Sequence, residues 1–166
     1  ADMGRNELIV NDAIKAVDSG RSPLILTERR DHLEMLYGML SDKVQYVFAL
    51  RGGMGKKQQK ELFAKIRAVK PEDERVLVAT GKYLGEGFDD ARLDTLFLTL
   101  PISWKGTLAQ YAGRLHRQFY GKSEVIVYDY ADLSLPMLER MYKKRLSGYR
   151  TMGYTLQDSP KIRNEN

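Results

Sequence analysis

Cysteine is absent from the 166-residue chain, and histidine occurs only at His32 and His116. Without cysteine the protein can form no disulfide, thiolate metal site or cysteine nucleophile, and this composition fits a reducing cytoplasm. Because the two histidines lie far apart in the sequence, we also expect no His-rich metal site. We therefore predict a cytoplasmic protein whose own side chains hold no metal ion.

Long apolar runs are missing as well. No stretch approaches the roughly 18 apolar residues that a membrane span needs, and no signal-peptide pattern begins the chain, so we expect no membrane partner. Hydrophobic residues make up 43% and charged residues 30%, as in a globular protein, and the length is that of one domain with its own core. The net charge of +5 allows a polyanionic partner without requiring one.

Helix-type and strand-type patterns alternate along the chain. Apolar positions at helical spacing predict five helices: 6–17, one begun by Asp31, 56–68, 107 to about 119, and 135 to about 149. Short apolar runs predict five strands: 23–27, 44–50, 75–80, 94–100 and 124–129. Short links between them predict an α/β fold in which a parallel sheet carries helices on both faces. We expect one domain at 1–156 and a disordered polar tail at 157–166.

Three polar segments follow predicted strands directly, at 27–30, 52–55 and 80–89. In parallel sheets of this kind, ligands bind outside the carboxyl ends of the strands. These segments are therefore the first candidates for a binding site.

The predicted helix at 107–119 contains the string Gln110-Tyr-Ala-Gly-Arg-Leu-His-Arg117. At about 100° per residue its apolar side chains share one face: Leu108, Tyr111, Ala112 and Leu115. Gln110, Arg114 and Arg117 share roughly the opposite face, and Gly113 leaves the backbone beside them open to close approach. Two guanidinium groups one turn apart suit a phosphate chain, because arginine stays charged and binds oxyanions through paired hydrogen bonds. A solvated basic face on an amphipathic helix is the alternative.

The pattern Gln-x-x-Gly-Arg-x-x-Arg in this string resembles motif VI of superfamily 2 helicases. In that family the motif supplies arginine fingers to the γ-phosphate of ATP. The resemblance implies that Arg114 and Arg117 are catalytic and that Gln110 and Gly113 lie at the nucleotide. It also implies a RecA-like, three-layer version of the predicted fold.

The segment at 79–89, Ala-Thr-Gly-Lys-Tyr-Leu-Gly-Glu-Gly-Phe-Asp, resembles motif V of the same superfamily. By that resemblance, Thr80 and Gly81 contact the backbone of a nucleic acid. Three further residues would lie near the nucleotide, with the carboxylate of the last able to reach a ribose hydroxyl: Glu86, Gly87 and Asp89. The alternative is a flexible glycine loop with surface acids.

Two upstream segments complete the resemblance. Residues 24–30 look like motif IV, and residues 50–54 look like the next element of the family, in which a strand end and the following helix start touch phosphates. The implied nucleic-acid contacts are Thr27, Arg29, Gly53 and Lys56. A solvated loop competes with each of these assignments. The segment at 52–56 is not a Walker A loop, because its glycine spacing is wrong and a second lysine follows the first.

A complete motor of this superfamily also needs a Walker A Lys-Ser/Thr pair and an acidic motif II, and neither occurs in the chain. We therefore expect the second RecA-like lobe of a longer polypeptide, inactive alone, with ATP and Mg²⁺ bound mainly by the N-terminal RecA-like lobe. The expected partner is a nucleic acid. Double-stranded DNA is preferred because residues 128–149 look like the tail of bacterial restriction and phage-defence helicases.

The last predicted helix has a basic side. Its apolar positions predict a buried face: Leu138, Met141, Tyr142 and Leu146. Its basic residues are predicted to crowd the exposed side: Arg140, Lys143, Lys144 and Arg145. A solubilising surface, a contact with the backbone of a duplex and a docking surface all remain open for this side.

Two other functions compete with the motor lobe. One is a stand-alone α/β module that binds nucleic acid without ATPase function. The other is a doubly wound ligand-binding or receiver-type domain. The sequence speaks against this second alternative, because it has no acidic phospho-acceptor cluster and no Gly-x-Gly-x-x-Gly fingerprint after the first strand.

Overall fold

The computed structural model describes residues 3–80, 90–99, 109–116, 119, 122 and 124–157, except the side chains of Gln110, Tyr111 and Arg114. Five helices lie in this part of the chain: α1 Met3–Asp18, α2 Arg30–Ser41, α3 Lys56–Ala68, α4 Ala109–Leu115 and α5 Pro136–Thr151. The five strands are β1 Pro23–Thr27, β2 Tyr46–Leu50, β3 Arg75–Thr80, β4 Thr95–Leu98 and β5 Ile126–Asp129. The predicted alternation of helices and strands is confirmed.

Most differences from the predicted elements lie at their ends. Val44, predicted to begin β2, donates its amide to the carbonyl of Leu40 and so belongs to the turn that ends α2. Asp31, predicted to cap α2, instead lies in its first turn. Arg29 is the N-cap residue, with an extended backbone whose carbonyl accepts from the amide of Leu33. The predicted bounds of β1, α3 and β3 are confirmed.

The five strands form one sheet in the order β2-β3-β1-β4-β5, and every adjacent pair is parallel. Parallel strands joined by helices place all carboxyl ends at one edge of the sheet. The register puts Thr27 of β1 directly beside Thr80 of β3. The amide of Thr99 donates to the carbonyl of Leu26, which continues the same edge beyond β4.

Side chains of successive strand residues point to opposite faces of the sheet, which creates two separate cores. On β1, Leu24 and Leu26 belong to a cluster that also contains Ile66 of α3, Leu115 of α4 and Tyr149 of α5. Ile25 belongs to a second cluster, which is built with the apolar sides of α1 and α2. The molecule therefore has three layers, with α3, α4 and α5 on one face and α1 and α2 on the other.

Helix α5 is attached to the sheet by a buried ion pair. Arg145 is only 3% exposed and donates two hydrogen bonds to the carboxylate of Asp129, at 2.8 and 3.1 Å. The hydroxyl of Tyr149 donates to the same carboxylate at 2.8 Å. The prediction that Arg145 lies on the exposed basic side was therefore wrong, because the carboxylate at the end of β5 draws its guanidinium into the core.

The amino edge of the sheet holds a second set of buried arginines. Arg75 forms a 2.6 Å ion pair with Asp90, and Arg92 donates to the hydroxyl of Ser22 and to two loop carbonyls. Buried charges need such partners, so these arginines serve the connections between strands. None of the five helices in the described part of the chain is both long and apolar enough to cross a lipid bilayer.

Candidate functional site

The carboxyl edge of the sheet brings together residues from two sequence segments that were assigned separately. Thr27 ends β1 and Thr80 ends β3, and the register makes them neighbours. Thr80 is half-buried, whereas Thr27 is only 1% exposed. The proximity of these two candidate residues therefore follows from the sheet itself, although only Thr80 presents its side chain toward solvent.

The hydroxyl of Thr27 is held by a short polar relay. Its Oγ1 lies 2.6 Å from Nδ1 of His32, and Nε2 of His32 lies 2.8 Å from Oδ1 of Asn6. With the amide oxygen of Asn6 accepting from Nε2–H, Nδ1 has no proton and accepts from the Thr27 hydroxyl. Burial lowers the pKa of His32, and the positive charge of Arg5 adds to this effect, so the neutral imidazole that the relay needs is favoured.

This relay restricts how Thr27 could touch a nucleic acid. A phosphate oxygen is only an acceptor, and the single hydroxyl proton of Thr27 is already donated to His32. The side chain could release that proton to a phosphate only if the relay rearranged. A contact through the backbone beyond β1 needs no such change.

Arg29, the second candidate residue after β1, is exposed at the start of α2. Its guanidinium donates to the carboxylate of Asp31, and this contact is the largest cause of the lowered pKa of that carboxyl. Both side chains are more than half exposed, so the ion pair contributes little to stability. Arg29 can therefore exchange this partner for a phosphate at small cost.

The turn between β2 and α3 carries the next two candidate residues. Gly53 has a φ of +83°, in the left-handed region that other residues rarely adopt. This backbone conformation directs the chain from the end of β2 into α3, whose N-cap is Gly55 and whose first residue is the exposed Lys56. The turn thus presents open backbone and the ammonium group of Lys56 at the carboxyl edge, and the contact of both with a nucleic acid stays a prediction.

Helix α4 carries most of the string that resembles motif VI. Ala112 and Leu115 are buried against the sheet, and Gly113 is exposed, with open space where a side chain would stand. The predicted division into a buried apolar face and an open position at Gly113 is thus confirmed for these three residues. The side chains of Gln110 and Arg114 lie outside the described atoms. So do five other candidate residues: Gly81, Glu86, Gly87, Asp89 and Arg117.

The structure also shows charged residues at this edge that were not predicted. The guanidinium of Arg5 donates to the carbonyls of Thr99 and Tyr130 at 3.0 and 2.8 Å, so α1 fastens the ends of β4 and β5. Arg51, which follows β2, is paired with the carboxylate of Glu34 on α2. Hydrophobic periodicity gives no signal for such contacts, because their partners are distant in the sequence.

A comparison with protein families assigns this architecture. The model of the helicase conserved C-terminal domain matches residues 6–118, which include all of β1 to β4 and the whole string at 110–117. The chain belongs to this family. It is therefore a C-terminal domain of the superfamily 2 helicases, and its five-stranded parallel sheet is a RecA-like fold.

Viral proteins are among the curated relatives. The transcript termination protein A18 of fowlpox virus is 27% identical over 146 residues, which are 84% of this chain and 30% of that protein. The transcript termination protein OPG145 of variola virus is 28% identical over 121 residues, or 70% of this chain and 24% of that protein. The helicase domain thus spans less than a third of the length of these relatives.

Two solved structures share the fold. Superposition on UvsW of T4 gives a TM-score of 0.67 at 17% identity and covers 89% of this chain and 32% of the other. The C-terminal part of the Fun30 ATPase domain gives a TM-score of 0.64 at 20% identity and covers 81% of this chain and 44% of the other. At these identities the likeness concerns the fold.

Proposed function

We propose that this helicase domain is the second motor lobe of an ATP-dependent nucleic-acid helicase or translocase. It would act with an N-terminal RecA-like lobe of the same polypeptide, which binds ATP and Mg²⁺ at its phosphate loop. The observation that carries the proposal is the family match over residues 6–118. Within that match, residues 110–115 of the string lie on a helix anchored by Ala112 and Leu115, which gives this part of the string a rigid support.

In this proposal Arg114 and Arg117 act as arginine fingers. When the cleft between the lobes closes, their guanidinium groups approach the β- and γ-phosphates and stabilise the charge that develops during hydrolysis. The remaining residues of the two motifs would line the nucleotide: Gln110, Gly113, Glu86, Gly87 and Asp89. The exposed Gly113 supports this arrangement, since nothing described stands above its Cα to block a close approach.

The carboxyl edge would track the nucleic-acid backbone. Five residues that end or follow strands would contact phosphates: Arg29, Gly53, Lys56, Thr80 and Gly81. Thr27 would contribute through its backbone. Such contacts carry no sequence information, so we expect little sequence preference and strong salt dependence. We propose double-stranded DNA as the substrate. The names of the viral transcript termination proteins also suggest action on a nucleic acid.

The missing half of the ATP site provides the test. The 166-residue chain should hydrolyse no ATP in the presence of duplex DNA, and the full-length polypeptide should hydrolyse it readily under the same conditions. The roughly 200 residues that precede the domain should contain a Walker A loop and an acidic motif II. Turnover by the isolated chain would contradict the proposal. A preceding segment without these motifs would leave the stand-alone nucleic-acid-binding module as the better account.

A further inference from the structure

The two helical layers of the domain differ sharply in charge. Helices α3 and α5, on one face of the sheet, each contain five basic residues and one acidic residue. Helices α1 and α2, on the other face, together contain three basic and five acidic residues. The overall net charge of +5 conceals this difference. Positive potential is therefore concentrated on one broad side of the domain, away from the carboxyl edge.

The basic residues of α5 form a continuous exposed stripe. Apart from the buried Arg145, four basic side chains are exposed: Arg140, Lys143, Lys144 and Arg150. At 100° per residue they fall within an arc of about 120°, and they span about 15 Å along the helix axis. Glu139 is the single acid of the helix and makes an exposed 3.3 Å ion pair with Lys143, which neutralises little of the stripe.

Helix α3 adds a second stripe to the same layer. Lys60, Phe63 and Arg67 lie within an arc of about 60° and line a shallow groove, which also contains Lys56 at its end nearest the carboxyl edge. The guanidinium of Arg67 lies 6.0 Å from the centre of the Phe63 ring, which orients it along the groove. Both stripes are thus carried on regular helices rather than on loops.

The stripe on α5 is also held rigidly. Arg145 and Tyr149, one helical turn apart, both bind the carboxylate of Asp129 at the end of β5. This attachment fixes the position of α5 against the sheet, so its charges keep one geometry. A surface that only needs to be soluble gains nothing from such a fixed arrangement.

From these observations we propose that the layer of α3 and α5 binds the phosphate backbone of duplex nucleic acid, as a second contact surface away from the carboxyl edge. This inference rests on the proposed function in that the same duplex would engage both surfaces. Helix α5 lies beyond the matched family segment, which ends at residue 118. The surface would hold the duplex beside the motor and contribute affinity without sequence preference.

An acidic protein is a less suitable partner for this layer. Interfaces between proteins usually depend on buried aromatic or aliphatic anchors. Among the described residues, three exposed large hydrophobic side chains lie at the start of α5: Leu133, Leu135 and Met137. None lies on α3 or on α5 from Arg140 to Arg150, so charge predominates along both stripes. A duplex presents one negative charge per about 1.7 Å of its axis, so a 15 Å stripe can face several phosphates at once.

The test compares variants of the 166-residue chain that lose the same charge in different layers. Arg140→Gln with Lys144→Gln removes two charges from α5, and Lys60→Gln with Arg67→Gln removes two from α3. Lys15→Gln with Lys43→Gln is the matched control at two exposed positions next to the opposite layer. Fluorescence anisotropy with a labelled mixed-sequence duplex of about 30 base pairs is recorded over a salt series from about 50 to 200 mM.

The α5 double variant and the α3 double variant (the two layer pairs) should each lower the slope of log Kd against log salt by about 1.8, because two phosphate contacts are lost. Each should also raise Kd at least about tenfold near 0.1 M salt. The control pair should change neither by a comparable amount. Equal effects of all three pairs would overturn the inference, since they would report only net charge. Polyglutamate that binds as tightly as the duplex, and with the same dependence on the layer pairs, would also overturn it in favour of an acidic protein.

An edge variant separates this inference from the proposed function. Arg29→Gln with Thr80→Ala changes only the carboxyl edge. If it weakens duplex binding while both layer pairs behave like the control, the second surface is wrong and the motor lobe stands. If the unaltered chain binds no duplex at any salt concentration, the second surface is wrong, and the motor lobe is judged by the ATP-hydrolysis test alone.

Discussion

The buried ion pair between Arg145 and Asp129 gives a prediction that sequence patterns alone would not make. Arg145→Met keeps the length and the apolar stem of the side chain but leaves the carboxylate of Asp129, which is 11% exposed, without its charged partner. Removing one partner of a buried pair costs about 3–5 kcal/mol. For a domain of this size, each kcal/mol lowers Tm by about 2–4 °C, so we expect a decrease of about 6–20 °C.

Lys144→Met is the matched control, because it makes a similar exchange one residue earlier at an exposed position. Its effect on the free energy of unfolding should stay within about 0.5 kcal/mol. The double variant Arg145→Met with Asp129→Leu should recover much of the stability, since no unpaired charge then remains in the core. Thermal and urea unfolding followed by circular dichroism measure all three. Nearly equal Tm values for Arg145→Met and Lys144→Met would refute the buried pair.

Two further predictions concern the carboxyl edge. Because the pKa of His32 is lowered from its ordinary value of 6.5, the free energy of unfolding should decrease as pH falls below that value. Urea titrations at pH 7.5 and 5.5 measure this decrease, which should be smaller in His32→Gln. A steeper loss in the variant would contradict the neutral relay. Gly53→Ala should lower the free energy of unfolding by about 1 kcal/mol, because the backbone at this position has a positive φ. Gly52→Ala, in equally open space, should lower it by only a few tenths of a kcal/mol. Equal losses of stability in the two variants would show that φ is not the cause.

The order of the elements could be predicted from the sequence because each short strand is almost entirely apolar. Strands β1, β3 and β4 are buried along nearly their whole length, so their apolar runs stand out between polar links. Strand β2 is partly exposed at its start, and there the prediction was wrong. Val44 is buried and apolar like a strand residue, yet it completes the turn after α2. Apolar character alone does not distinguish these two local structures.

The candidate site was predictable only as far as motifs and strand ends define it. Thr27 and Thr80 could be placed at one edge because parallel strands share that edge. The relay from Thr27 through His32 to Asn6 could not be predicted, because Asn6 lies 26 residues from His32 and reaches it only once α1 packs beside α2. Arg145 was assigned to the wrong side because its helical position permits exposure, and only the distant Asp129 decides otherwise.

The arginine fingers are the central claim, and Arg117→Ala in the full-length polypeptide tests them most directly. We expect duplex-stimulated ATP hydrolysis to fall by about 10³–10⁵ while the affinity for ATP changes little, because a finger acts on the transition state. Lys15→Ala, at an exposed position on the opposite layer, should leave turnover unchanged. Turnover by Arg117→Ala within a few-fold of the unaltered protein would contradict the account.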